Sequence, residues 1–254
     1  RETCLPLDVI RYINEFVKYK QLNNNNIKEA VDLWIYNKEE CLLLYGHISY
    51  WNVSKVKNMF QLFFLRDDKN CKLIKNNFNE DISRWNVSNV RNMRYMFCNA
   101  TSFNGNINNW NVSNVENMSC MFSCATSFNG DLNNWDVSKV TDMRYMFFGA
   151  TVFNGDISNW NVSNVKDMSY MFYKTTSFNQ DISRWNVSNV YDLNHMFNEA
   201  SSFNYDLKNW NISKNTNVDF IFYGTRNHYN NVYKFGILIF LILLITFSTI
   251  IIFG

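Results

Sequence analysis

Five aspartates, Asp81, Asp131, Asp156, Asp181 and Asp206, recur at one fixed step, with Asn106 in the place of a sixth. Carboxylates stacked at such an interval present the hard oxygen ligands that calcium takes. The glycine-rich spacing of calcium-binding β-rolls is missing, so no metal is assigned. Three histidines, His47, His195 and His228, lie in different contexts and match no nucleophile or metal motif. Six cysteines, Cys4, Cys41, Cys71, Cys98, Cys120 and Cys124, form no CxxC pair and no Cys/His spacing suited to tetrahedral zinc. Cys98 and Cys124 stand 26 residues apart, close to the step of the aspartates. Stacking would bring them near enough to bridge if their side chains point together, and free thiols are the plainer alternative. No catalytic, cofactor or metal set emerges, no enzyme is expected, and function falls to a surface.

What builds that surface is a repeat. Trp85, Trp110, Trp135, Trp160, Trp185 and Trp210 are each 25 residues apart, and nearly every residue around them recurs in step. A period of that length marks stacked units whose apolar faces cover one another. In the unit from 82 to 106, Trp85 and Val87 are two apart, as on one face of a strand, while Val90, Met93, Met96, Phe97 and Ala100 follow three-and-four spacing. The spacing predicts an α/β repeat solenoid, similar to a leucine-rich-repeat stack: short parallel strands about 4.7–4.9 Å apart alternate with short helical or 3-10 segments. Polar residues repeat too. Ser54, Ser88, Ser113, Ser138, Ser163, Ser188 and Ser213 form a file of hydroxyls suited to bonding the turn backbones, and Asn79, Asn104, Asn129, Asn154, Asn179 and Asn204 form a second file.

Two faces are candidates for binding a partner. Tyr95, Tyr145, Tyr170 and His195 share one position with Cys120 and Phe220, and Arg94, Arg144, Arg91 and Lys166 flank them. Aromatics and arginine dominate interface energetics, so this is a docking stripe, or else a set of rings that only shields neighbouring rungs. Beside the tryptophans, Arg84 and Arg184 alternate with Asn109, Asn134, Asn159 and Asn209 on the second face.

The net charge of +2 is spread among interleaved acids and bases, which excludes the concentrated basic face of a nucleic-acid binder. Phe235 and Phe253 bound a run of 19 residues without charge; as a helix it would span about 28 Å at about 1.5 Å per residue, a bilayer core. It is apolar all round except at Thr246, Ser248 and Thr249, where a buried soluble helix would keep a polar face. The expectation is a single-pass membrane protein with a C-terminal helix. Lys214, Arg226 and Lys234 precede the run, which by the positive-inside tendency favours cytosolic repeats slightly over a cell or virion surface. The chain opens on Arg1 rather than Met, so a cleaved upstream signal stays open. Eight N-x-S/T sites, seven of them from the repeat itself, do not decide the topology.

The expected organisation is a helical cap over 1–45, a solenoid over 46–224, a juxtamembrane linker over 225–234 and the membrane helix over 235–253. In the cap, Asn26 is placed to begin a helix, Glu29 to complete a capping box and Gly46 to end it. Trp51 and Trp85 are 34 apart, nine more than the period, which predicts a loop around Arg66 to Lys75. The last rung degenerates, with Ile212, Lys214, Asn215, Val218 and Ile221 replacing the usual residues, as expected of an end cap.

The pattern I-S-x-W-N-V-S-N-V-x-x-M-x-x-M-F-x-x-A-x-x-F-N-x-D, as in Ile182, Trp185, Asn186, Val187, Ser188, Val190, Met196, Phe197, Ala200 and Phe203, resembles the BspA-like leucine-rich-repeat surface-protein family. The resemblance implies a surface or membrane-attached interaction protein, and residues 27–51 look like the helical cap that precedes such repeats. Leu5 to Phe16, with Leu7, Ile10, Ile13, Phe16 and Val17 at helical spacing, looks faintly like an F-box opening, or is a helix that packs on the cap. The expectation is a membrane-anchored, non-enzymatic scaffold that binds a protein partner along its face. The alternatives are an extracellular or virion-surface adhesin and an F-box-like ubiquitin-ligase substrate adaptor.

Overall fold

The computed structural model describes residues 19–67, 72–73 and 76–226. Two helices open it, α1 (Ile27–Tyr36) and α2 (Lys38–Tyr45). Asn26 stands before α1 but makes no side-chain cap bond; its Oδ1 instead accepts the Asn23 N–H at 2.9 Å. Asn37 breaks the expected single helix and caps α2, accepting the Glu40 N–H while its amide donates to the Glu40 carboxylate. Gly46, with φ 71°, ends α2, in the left-handed conformation that suits glycine.

The cap completes the first rungs chemically. Trp51 Nε1 donates to the Gly46 carbonyl and Trp85 Nε1 to the Ile48 carbonyl. Asn24 Oδ1 accepts the N–H groups of Lys57 and Asn58 at 2.7 and 3.1 Å. In the next rungs the residues matching Lys57, Arg91 and Glu116, donate to the rung before, to Lys57 and Arg91 respectively. One side chain thus replaces a carbonyl that no earlier rung supplies, as buried or crowded N–H groups require.

Each later rung is a chain of tight turns. In the unit from 82 to 106, N–H groups donate three residues back from Trp85, Val90, Met96, Cys98, Ala100 and Phe103. Alternate N–H groups from Met93 to Asn99 point onward: Met93, Tyr95, Phe97 and Asn99 donate to the carbonyls of Asn117, Ser119, Met121 and Ser123 in the next rung. Tyr95 and Asn99 take left-handed conformations, φ 59° at each. The same pair of positions turns left-handed in every following rung, at Cys120 and Cys124, Tyr145 and Gly149, Tyr170 and Lys174, His195 and Glu199, Phe220 and Gly224.

These observations overturn the expected fold class. A left-handed residue every fourth position cannot belong to an α-helix, so the three-and-four spacing of Val90 to Ala100 comes from successive turns. Trp85 and Val87 form no strand; between rungs only one residue pairs, in the parallel series Asn58, Asn92, Asn117, Asp142, Asp167, Asp192, Asn217. Bonds in both directions meet only around that bridging position, where Arg91 and Glu116 donate back to Lys57 and Arg91; from Met93 to Asn99 the cross-rung bonds run one way, donor to next carbonyl, and lack the return bonds of a sheet. The only paired strands among the described residues, β1 (Arg66–Asp67) and β2 (Lys72–Leu73), are antiparallel and belong to the nine-residue insertion. The molecule is a stack of turn-built rungs and not an α/β solenoid of strands and helices.

On the expected single-pass membrane placement, no helix among the described residues is long and apolar enough to cross a membrane. The run 235–253 and the F-box-like stretch within 1–18 lie outside the described residues.

Inside the stack, apolar side chains align in columns. Trp85 lies 6.4 Å from Trp110, and Trp135 6.4 Å from Trp160, with rings within 3° of parallel. Phe97, Phe122, Phe147, Phe172, Phe197 and Phe222 form a second column at 5.6–5.7 Å. The first five pair within their rungs with a third-column phenylalanine, such as Phe103 or Phe128 at 4.0 Å. Large aromatic area leaves water at every step, which is the dominant favourable term in a fold with so little regular secondary structure.

Polar files close the turns. The hydroxyls of Ser88, Ser113, Ser163 and Ser188 bond to the side chain two residues back, as where Ser88 Oγ donates to Asn86 Oδ1 at 2.7 Å, which also accepts the Ser88 N–H, while Ser213 Oγ accepts the Asn215 N–H of its turn backbone as expected. The second file is a ladder. Asn104 Oδ1 accepts the Asn129 N–H, Asn129 Oδ1 accepts Asn154 and Asn154 Oδ1 accepts Asn179, at 2.7–3.0 Å.

Candidate interaction face

The aspartates that suggested calcium are turn caps. Asp81, Asp131, Asp156, Asp181 and Asp206 each accept, through Oδ1, the N–H two residues on, at 2.9–3.0 Å. Asn106 does the same for Asn108, so the slot needs an oxygen and not a charge. Ser83 and Ser183 hold the carboxyls of Asp81 and Asp181 below their ordinary values. Among the described residues no group of three or more His, Cys, Asp or Glu side chains could hold a metal ion.

Among the described residues the cysteines form no bridge. Cys98, Cys120 and Cys124 are free thiols. Burial pushes Cys98 up to about 12 and Cys41 up to about 11, which removes the thiolate that nucleophilic chemistry needs. His47 Nδ1 accepts the Ser49 N–H at the start of a short 3-10 turn, and His228 lies outside the described residues.

The aromatic stripe is brought together over its second half. Tyr145 stacks on Tyr170 at 4.7 Å, Tyr170 on His195 at 4.6 Å and His195 on Phe220 at 4.9 Å. Tyr95 stands apart, because Cys120 occupies the rung between; it meets Phe60 and Phe64 instead. Its hydroxyl bonds to the Cys120 thiol, and this bond raises the phenol above its ordinary value. Burial does the same for Tyr145.

A second column escaped the sequence reading. Phe148 stacks on Tyr173 at 4.9 Å and lies 5.7 Å from Tyr145, while Tyr173 lies 5.7 Å from Tyr170. Tyr223 continues this line beside Phe220. The signal was present, an aromatic directly after the Met-Phe pair in those rungs, but Cys98, Ser123 and Asn198 interrupt it.

The arginines divide. The Arg94 guanidinium lies 4.9 Å from the Tyr95 ring. Arg144 lies 3.2 Å from Asp142 and 3.8 Å from Asp167, so it borders the aromatic face as part of an ion-paired rim. Arg84 sits over the Tyr50 ring at 5.6 Å, and Arg184 is exposed on the turn after Asp181. These two belong to the tryptophan side, in rungs that do not adjoin, and do not join the aromatic face.

Rings at left-handed backbone positions carry meaning. Such a conformation costs a non-glycine residue roughly 1–2 kcal/mol, and the second left-handed position of the rung uses Asn99, Gly149 and Gly224 alongside Cys124, Lys174 and Glu199. The first uses Tyr, His and Phe in five rungs, beside Gln61 and Cys120, and nothing in the backbone calls for a ring. From Tyr145 to Phe220 these rings stack face to face along the rungs.

Fold and face together define a stacked-repeat protein with an aromatic surface. A family model described as "Mycoplasma protein of unknown function, DUF285" matches residues 44–147 and 130–235. The chain belongs to that family. No curated protein and no solved structure matches it.

Proposed function

We propose that the chain is a non-enzymatic repeat scaffold that binds a protein partner through the aromatic face of rungs 142–223. The observation that carries this reading is the two-column cluster of Tyr145, Tyr170, His195 and Phe220 with Phe148, Tyr173 and Tyr223. Phe220 and Tyr223 are well exposed, at 62% and 55%. Tyrosine gives large rigid contact area at low entropic cost and a hydroxyl for hydrogen bonding, which is why such residues concentrate binding energy. Arg144 with its aspartates and Lys174 with Glu199 supply a polar rim. The resemblance of the repeat to BspA-like surface proteins supports an interaction role.

The test is substitution of Tyr170 and Tyr173 by Ser in the full chain, followed by co-purification from its source cells and a thermal melt. Loss of a co-purifying protein, with unfolding still cooperative, is the expected result. Retention of every partner by a folded variant would contradict it.

A further inference from the structure

Asp142, Asp167 and Asp192 occupy the single bridging position of three consecutive rungs, paired in parallel register, which sets their backbones about 4.8 Å apart. The same position holds Asn58, Asn92, Asn117 and Asn217. In every rung its Oδ1 does one job, accepting the N–H two residues on: Asn117 from Ser119, Asp167 from Ser169, Asp192 from Asn194, all at 2.9 Å. An amide suffices for that, so the three charges are additional to the needs of the turn.

Compensation for those charges is uneven. Arg144 reaches Asp142 and Asp167, and Asn117 Nδ2 donates to Asp142 at 3.2 Å. The charged groups acting on Asp192 are Asp167 on one side and Asp219 on the other, both acidic. Among the described residues no cation forms an ion pair with Asp192. Its rung also carries two buried acceptors without a donor, Asn194 Oδ1 and Asn198 Oδ1. The rung is rich in acceptors and short of protons.

We propose that this carboxylate ladder is an acid-responsive clamp, in which proton uptake at Asp192 joins its rung more firmly to the neighbouring ones and stiffens the part of the stack that carries the aromatic face. Burial, with Asp167 and Asp219 adding to it, raises the Asp192 carboxyl, and burial raises Asp142 as well despite Arg144. A carboxyl raised in the folded state costs stability above its folded pKa, and the cost vanishes as pH falls toward the unfolded value of about 4. The clamp does not depend on the partner-binding reading, because it is read from stability alone.

The experiment is thermal unfolding of the full chain and its Asp192→Asn variant from pH 7.5 down to about 3.5, below the unfolded carboxyl value. Asparagine fills this slot in four other rungs, so the variant folds. At pH 7.5 it should melt about 2–4 °C above the parent, and the gap should close as the parent takes up its proton. Asp142→Asn, which strands Arg144 against Asp167 alone, should show a smaller gain. A gap that is constant with pH, or a variant less stable than the parent at pH 7.5, would overturn the clamp.

Discussion

The indole Nε1 of Trp135 donates to the carbonyl of Ile107, 28 residues earlier, at 3.0 Å. The same bond joins Trp110 to Ile82, Trp160 to Leu132, Trp185 to Ile157 and Trp210 to Ile182. Each tryptophan therefore both fills its own rung and satisfies a buried carbonyl of the rung before. Trp135→Ala should cost roughly 3–5 kcal/mol, from the cavity together with the lost indole hydrogen bond, although the Ile107 carbonyl keeps the Trp110 N–H. Denaturant titration checks it, and a variant of unchanged midpoint would show that the column does not hold the rungs together.

A second prediction concerns close backbone approach. A Cβ added at Gly155 would fall 2.2 Å from the Gly130 carbonyl oxygen, whereas at Gly130 it would meet only the Phe128 ring edge, at 3.0 Å. A carbonyl fixed in the stack yields less than a ring edge does. Gly155→Ala should destabilise by roughly 1–3 kcal/mol, an overpacking cost, and by more than Gly130→Ala in parallel melts.

Thiol labelling gives a third. With its pKa pushed up to about 12 by burial, Cys98 has about one thiolate in ten thousand at pH 8. Iodoacetamide followed by mass spectrometry should find Cys98 unmodified in the folded chain and modified in denaturant. Rapid labelling of the folded protein would mean that the rung opens there.

Acid acts in the opposite sense at the turn caps. Hydrogen bonds from Ser138 and Ser183 lower the carboxyls of Asp136 and Asp181. Stability from such groups is present above the unfolded value near 4 and is lost as pH falls through the lower folded value. Asp136→Asn, which copies Asn86 and Asn161 in the same slot, should leave the melt at pH 7 nearly unchanged and reduce the loss below about pH 4. An equal loss in parent and variant would remove Asp136 from the acid transition.

The apolar skeleton was legible in the sequence because inward side chains repeat with few substitutions: Ile82, Trp85, Val87, Val90, Met93, Met96, Phe97, Ala100 and Phe103 are all buried. What joins them was not legible. Two- and three-residue spacings read as strand and helix, yet a chain of turns repeats its inward positions at the same intervals. Gly149 and Gly224 hinted at one left-handed position, but Tyr145, Tyr170 and His195 give no backbone signal at the other. The aspartate file was visible as a file and misleading as chemistry, because a carboxylate and an amide oxygen cap a turn equally well. On the candidate face, the first ring column was visible by register, and the second emerged only when Phe148 and Tyr173 were seen to stack against it.

The central functional claim, that the aromatic columns are where a partner sits, is tested most directly by photo-cross-linking. A benzophenone side chain placed at Tyr173, and separately at Arg184 on the tryptophan side, reports which face is covered in the source cell. The account predicts a discrete protein adduct from position 173 and none from position 184. An adduct from 184 alone, or none from 173, would contradict it.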